Sequence, residues 1–296
     1  MAFNWSTFKT RTLTAVVFAA VMLFGLLWNN WSFLILISVI HFGCWREYLK
    51  LTERICQCSF HSYMKMGFMV MGYGLMLWFC GPGYHAGGYG IRENLSLPVS
   101  AAGFALVVMG VFQKNRVGLK SFGMAFGGII YISLCWGLML DLFAQHMALP
   151  IHDTSIRITP GLLPVIVIAG IWINDTMAYI VGSLIGKTPL TSVSPRKTWE
   201  GTIGGVVLAL LVTSILFSLI ILKTFSLPLV IAIAVITAVA AVAGTFGDLF
   251  ESKLKRMAGV KDSGSLMPGH GGFLDRFDSL LLAVPAVWIL INARGI

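Results

Sequence analysis

Nine stretches of the chain are apolar for long enough to cross the roughly 30 Å hydrocarbon core of a bilayer as helices. They lie near 12–28, 31–49, 64–80, 96–112, 122–143, 161–186, 202–223, 226–250 and 275–293. This pattern predicts an all-α, polytopic integral membrane protein of about nine transmembrane helices. No large soluble domain, internal repeat, low-complexity tract or long linker interrupts the series. Segments 81–95 and 144–160, rich in Gly, Pro and polar residues, are expected as outer loops. Polarity is unevenly spread. The first five spans hold few ionisable residues, whereas the last four contain Asp175 and border every dense polar motif. The chain therefore reads as N-terminal transmembrane helices over 1–150 and a catalytic transmembrane region over 151–296, with its densest polar stretch at 252–278.

Composition agrees: at 57% hydrophobic and 11% charged residues, the chain has more apolar surface than one soluble core buries. Charge then orients the spans. Arg92, Arg157, Lys223 and Arg294 are the only Lys and Arg on one side of the nine-span arrangement; all the others fall on the side of the N-terminus. That bias places the N-terminus in the cytoplasm, with the polar motifs facing the cytoplasm from a bacterial-type inner membrane. The net charge of +9 is dispersed in short groups over the inner loops. It does not form the continuous, aromatic-studded basic face of a nucleic-acid binder. Attraction to inner-leaflet lipid accounts for it. Cys44, Cys56, Cys58, Cys80 and Cys135 are odd in number, and Cys56 and Cys58 lack a second ligand pair for zinc. They read as reduced structural residues. Lys9 and Arg11 before an apolar run mimic a signal peptide, but a second span follows at once without a small-residue cleavage site. The first span is expected to stay uncleaved.

The chemistry concentrates at the ends of the last spans. Asp248, Asp262, Asp275 and Asp278 offer carboxylates for a divalent cation, and Lys255, Arg256, Lys261 and Arg276 offer cations for phosphates. A polyphosphate substrate needs both. Asp248, Glu251, Ser252 and Lys255 fall at i, i+3, i+4 and i+7, one face of a helix leaving the bilayer, and Asp275 and Asp278 share a face by the same rule. The connecting loop carries Gly264, Pro268, Gly269, Gly271 and Gly272, which permit tight turns and close backbone approach to an anion. His270 sits in that glycine frame. A lone His is more often a surface or capping residue, but here it is placed for phosphate contact or proton transfer. In the loop before span seven, Pro195 bars helix continuation, Thr198 can cap, and Arg196 and Lys197 suit a phosphate or lipid headgroup. The plainer alternative is a positive-inside loop with an interfacial Trp199. Asp175, between Asn174 and Thr176 in the sixth apolar run, must face a polar cavity or a partner. Gly182, Gly186, Lys187 and Thr188 imitate a nucleotide-binding P-loop, but the spacing is one residue short and no strand precedes it. Close helix packing is the expected role of those glycines.

The run Ser252-Lys253-Leu254-Lys255-Arg256, then Lys261-Asp262, then Pro268 through Asp278 resembles the signature of phosphatidate cytidylyltransferases, also called CDP-diglyceride synthases. Asp175-Thr176 with Ala178-Tyr179, and Ser194-Pro195 with Lys197-Thr198 and Glu200-Gly201, are similar to further motifs of that family. The likeness covers roughly 161–290; the first five spans resemble the family only in hydropathy. Met267, where the family usually has Leu or Ile, is a mild departure that keeps the position apolar. The resemblance implies that phosphatidate and CTP react to CDP-diacylglycerol and pyrophosphate, dependent on magnesium. It also implies a two-cation centre on the residues matching Asp248 and Asp275, its second position open to a monovalent ion such as K+. Asp278 and Asp262 are further candidates for ligation. Lys255, Arg256, Lys261 and Arg276 are expected on the triphosphate, and Arg196 and Lys197 at the phosphatidate headgroup. Asp175, Ser194, Thr198, Ser252, Gly271 and Gly272 are expected among the substrate contacts. Two rival functions share parts of the pattern: a CTP-dependent lipid-alcohol kinase of the polyprenol type, and a secondary transporter, which usually carries duplicated halves and midplane polar sites. A homodimer through Gly123 and Gly127 is an option that intramolecular packing explains equally well.

Overall fold

A computed structural model of the chain describes residues 5–113, 117–145, 147–151, 154–158, 161–221, 223, 226–264 and 271–293. Helices α1 (Trp5–Leu27), α2 (Asn30–Cys56), α3 (Ser62–Leu77) and α4 (Ile91–Val111) are followed by a rod of α5 (Leu119–Gly128), a π-helical stretch and α6 (Cys135–Ala144). Then come α7 (Leu162–Ile185), α8 (Trp199–Ile215), which continues as a π-helix to Ile221, α9 (Leu227–Met257) and α10 (Leu274–Ala293). Among the described residues six helices are long and apolar enough to cross a membrane: α2, α4, the α5–α6 rod, α7, α8 and α9. The protein is thus an all-α polytopic membrane protein, as expected; the described residues account for six of the nine expected spans. The 16 residues of α3 reach only about 24 Å. The first turns of α10 carry Asp275, Arg276 and Asp278.

Both expected outer loops contain a small hairpin. β1 (His85–Ala86) and β2 (Tyr89–Gly90) turn through Gly87 and Gly88 at φ of 57° and 81°, the positive values a two-residue hairpin turn demands. Segment 144–160 holds an antiparallel pair, β3 (Met147–Ile151) and β4 (Thr154–Ile158), in register Met147 with Ile158. Alternation of polar and apolar residues over Ser155-Ile156-Arg157-Ile158 suits a strand, but it is short and flanked by turn residues.

The chain divides into two compact units: Met1–Leu140 with Leu254–Phe277, and Asp141–Lys253 with Asp278–Ile296. In the first, a capping box fixes the α1–α2 turn: Ser32 N–H donates to Asn29 Oδ1 at 2.8 Å and Asn29 N–H to Ser32 Oγ at 3.0 Å. Small residues let helices approach closely. A side chain on Gly67 or Gly103 would strike the backbone of the facing helix, α4 or α3. The fully buried Trp45 donates its Nε1–H to Ser133 Oγ at 2.8 Å, and Gly128 lies against its ring. Gly128 is therefore the most tightly packed glycine of α5; among the described residues no atom lies within 4 Å of where a Cβ on Gly123 would stand.

In the second unit, Gly201 and Gly205 of α8 lie against Ala178 of α7, and Gly204 against Val181. Thr213 and Thr237 join α8 to α9 through their hydroxyls, 3.0 Å apart. Gly247 lets the Asp278 carbonyl and Ser279 approach the backbone of α9. Asp141 accepts from Trp288 Nε1 and Gln145 Nε2, both at 2.7 Å, so its carboxylate is held by donors from α10 and from its own turn.

Candidate functional site

The loop between α7 and α8 is built backbone first. Leu190 N–H donates to the Lys197 carbonyl at 2.7 Å and Trp199 N–H to the Thr188 carbonyl at 3.0 Å, closing a tight reversal. Glu200, in the first turn of α8, draws the far side in: its carboxylate accepts from Lys187 N–H, Thr188 N–H and the Thr188 hydroxyl at 2.9–3.2 Å. Thr198 caps α8 as expected, its Oγ1 accepting from Gly201 N–H at 3.1 Å. Gly182 and Gly186 lie against Thr198, the packing role expected of them.

This fold sets Arg196 and Lys197 on a cleft of about 550 Å³, lined also by Asn174, Asp175, Tyr179, Ser194, Thr198 and Asp248. Asp175, deep in the sixth apolar run, is exposed to that cleft and takes a 3.3 Å bond from Asn174 Nδ2. A polar cavity is what an ionisable group within a span requires. Lys197 forms an ion pair with Asp248, and the Ser252 hydroxyl donates to the other oxygen of Asp248 at 3.2 Å.

Asp248 also belongs to an acidic group. Asp248, Glu251 and Asp278 each present a carboxylate oxygen within 4.8 Å of the others, and Glu251 and Asp278 are buried. Ser279 N–H, 2.6 Å from Asp278 Oδ1, orients that carboxylate. Carboxylates this close repel unless cations or protons compensate, and three oxygen ligands suit a hard divalent cation.

Asp275 lies in the first unit, in the opening turn of α10 ahead of the apolar run that begins at Leu280. Its Oδ1 accepts from Lys255 Nζ at 2.7 Å. Oδ2 accepts from Ser263 N–H, Gly272 N–H and the Ser263 hydroxyl at 2.8–2.9 Å. Burial works against its charged form, but the Lys255 ammonium and these donors outweigh it and hold the carboxyl below the usual carboxylate range. Gly271 adopts φ 83° against this carboxylate, a conformation that favours glycine.

Ser263 has a second partner. Its hydroxyl is 2.7 Å from Oε2 of Glu47, a buried residue of α2 that also accepts from Leu274 N–H at 2.9 Å. Gly264 and Gly272 lie directly against the Glu47 carboxylate. Gly264, Gly271 and Gly272 thus lie close to anionic groups, and those groups are the chain's own carboxylates. Arg256 donates to the Val260 carbonyl at 3.3 Å across the end of α9. Lys261 and Asp262 are exposed, Asp262 facing Lys50 and Arg54 in a pocket of about 140 Å³, and Arg276 is half-buried. Pro268, Gly269 and His270 lie outside the described residues.

Residues 9–293 match the model of the Cytidylyltransferase family. The chain belongs to that family. It is similar to the phosphatidate cytidylyltransferase of Bacillus subtilis (strain 168), with 33% identity over 291 residues, 96% of this chain and 97% of that one. The Staphylococcus saprophyticus protein of the same name is 29% identical over 284 residues, 96% and 98% of the two chains. Phosphatidate cytidylyltransferase 5, chloroplastic, of Arabidopsis thaliana is 33% identical over 218 residues, 69% of this chain and 53% of that one. The chain thus spans about half the length of its plant relatives and nearly all of the bacterial ones.

Within this member of the cytidylyltransferase family, the site residues read from the sequence form two groups. Lys197, Asp248, Ser252 and Asp278 gather in one unit, and Lys255, Gly271, Gly272 and Asp275 in the other. Sequence reasoning placed Glu251 on the right helix face without assigning it a ligand role. Glu47 went unnoticed, its one local signal being an acid at an apolar helix position among basic residues.

Proposed function

We propose that the chain transfers CMP from CTP to phosphatidate, giving CDP-diacylglycerol and pyrophosphate, at the cytoplasmic face of a bacterial-type inner membrane. The carrying observation is the family match over 9–293, together with alignment to bacterial relatives named phosphatidate cytidylyltransferase over nearly all of both chains. A phosphatidate oxygen forms a bond to the α-phosphorus of CTP as the bond from that phosphorus to the pyrophosphate breaks, and no covalent enzyme intermediate is needed. Arg196 and Lys197, on a cleft between membrane helices, would hold the lipid phosphate. Lys197 would trade its pair with Asp248 for the headgroup. Lys255, Arg256, Lys261 and Arg276 would grip the triphosphate, Asp275 orienting Lys255. Asp248, Glu251 and Asp278 would hold magnesium, which when bound neutralises phosphate charge and stabilises the departing pyrophosphate.

The test is incubation of the purified full-length protein with magnesium, CTP labelled at the α- or the γ-phosphorus, and phosphatidate or a polyprenol as acceptor. The α-label should pass to the organic phase only with phosphatidate, while the γ-label stays aqueous as pyrophosphate. Transfer of γ-label to polyprenol with release of CDP would establish the lipid-alcohol kinase instead, and no lipid label with either acceptor would sink both.

A further inference from the structure

A carboxylate buried in an apolar helix is retained only where specific partners compensate its desolvation. Glu47 is 8% exposed on α2. Its partners are the Ser263 hydroxyl and the Leu274 amide, more than 200 residues away in the chain. Gly264 and Gly272 are shaped to it, since a Cβ at either would overlap its carboxylate oxygens. The same Ser263 hydroxyl lies 2.9 Å from Asp275 Oδ2, and Asp275 Oδ1 holds Lys255. A hydroxyl carries one proton, so Glu47 and Asp275 share a single donor, and the position of one carboxylate is felt by the other.

We infer that Glu47 is a positioning residue for the signature segment. Through Ser263 and the first amide of α10 it sets the Asp275 carboxylate, and through that the Lys255 ammonium. The N-terminal helix α2 therefore contributes to the site by holding Ser263 and Leu274 on one carboxylate. The inference rests on the cytidylyl-transfer reading. Lys255 acts on phosphate, so a misplaced Asp275 shows in turnover more than in lipid capture.

Three variants of the full-length protein separate this from general stability: Glu47→Gln, which keeps size and an acceptor but loses the charge; Ser263→Ala, which cuts the link and leaves the Leu274 bond; and their combination. Groups that orient a site's principal residues typically cost 10–100-fold when removed. Glu47→Gln should lower kcat by about that factor, leave KM for phosphatidate within about twofold, and be no worse when Ser263→Ala is added. Hydrogen exchange at the Ser263, Gly272 and Leu274 amides should quicken in both single variants. A kcat for Glu47→Gln within twofold of the parent, multiplicative losses in the double variant, or unchanged amide exchange would each overturn the inference. If Glu47→Gln does not fold, Ser263→Ala carries the same comparison. A parent protein without turnover would instead refute the cytidylyl-transfer reading, and the exchange measurement would still decide whether Glu47 sets the loop.

Discussion

The Lys197 ammonium pairs with the Asp248 carboxylate, so the loop ahead of α8 and the charged end of α9 share one ion pair at the rim of the cleft. Both side chains keep more than a quarter of their surface exposed, at 27% and 29%, so an entering phosphate can compete for the ammonium. Lys197→Met should raise KM for phosphatidate about tenfold or more and change KM for CTP less. Initial rates at varied lipid fraction in mixed micelles check this; a variant altered only in its CTP dependence would move Lys197 to the nucleotide.

Lys255 and Asp275 form the more enclosed pair, at 12% and 11% exposure. Replacing Asp275 by Asn strands a buried ammonium, a loss on the order of 3–5 kcal/mol. Turnover should disappear and the midpoint of heat inactivation should fall. The carboxyl is depressed in the folded protein, so its stabilisation is fully present above the unfolded carboxylate pKa and is lost as pH falls through the lower folded value. The inactivation midpoint of the parent should therefore drop on acidification, and that of Asp275→Asn should be flatter over the same range.

Divalent-ion dependence should trace to the acidic group on α9 and α10. Chelation should abolish transfer and added magnesium restore it. Asp278→Asn and Glu251→Gln should each shift the magnesium needed for half-maximal rate upward by about tenfold or more. A magnesium titration of the three proteins decides it, because identical curves would remove these residues from the ion's surroundings.

Close approach of α7 and α8 depends on Gly205, where a side chain would meet the backbone of Ala178. Gly205→Leu should wedge the helices apart, reduce activity and lower the inactivation temperature. Gly123→Leu, whose Cβ has no atom of the described residues within 4 Å, serves as the matched control and should match the parent in both measurements.

How much of this was readable beforehand follows the range of each interaction. Apolar run length announced the helices, because a span is a local property of about twenty residues. Even so, α3 with its 16 residues is short for a span, and the opening turns of α10 are diluted by charge. Thr198 was recognisable as a cap since its partner is three residues on. Asp248 and Asp278 were both named, but their meeting depends on Gly247 admitting α10 to the backbone of α9, a packing fact with no sequence period. Glu47 lay beyond reach for the same reason. Its bonds go to Ser263 and Leu274, 216 and 227 residues away, a separation to which no local spacing points.

The 31 residues of α9 give it a length of about 46 Å, some 15 Å more than the oily slab it has to traverse. The surplus matches the charged end that carries Asp248, Glu251, Ser252 and Lys255, so the helix works as a post whose acids stand beyond the apolar run that ends at Phe246. Removing one full turn from the apolar half of that post, roughly 5.4 Å, would lower the acids toward hydrocarbon while keeping the order of every polar residue in the sequence.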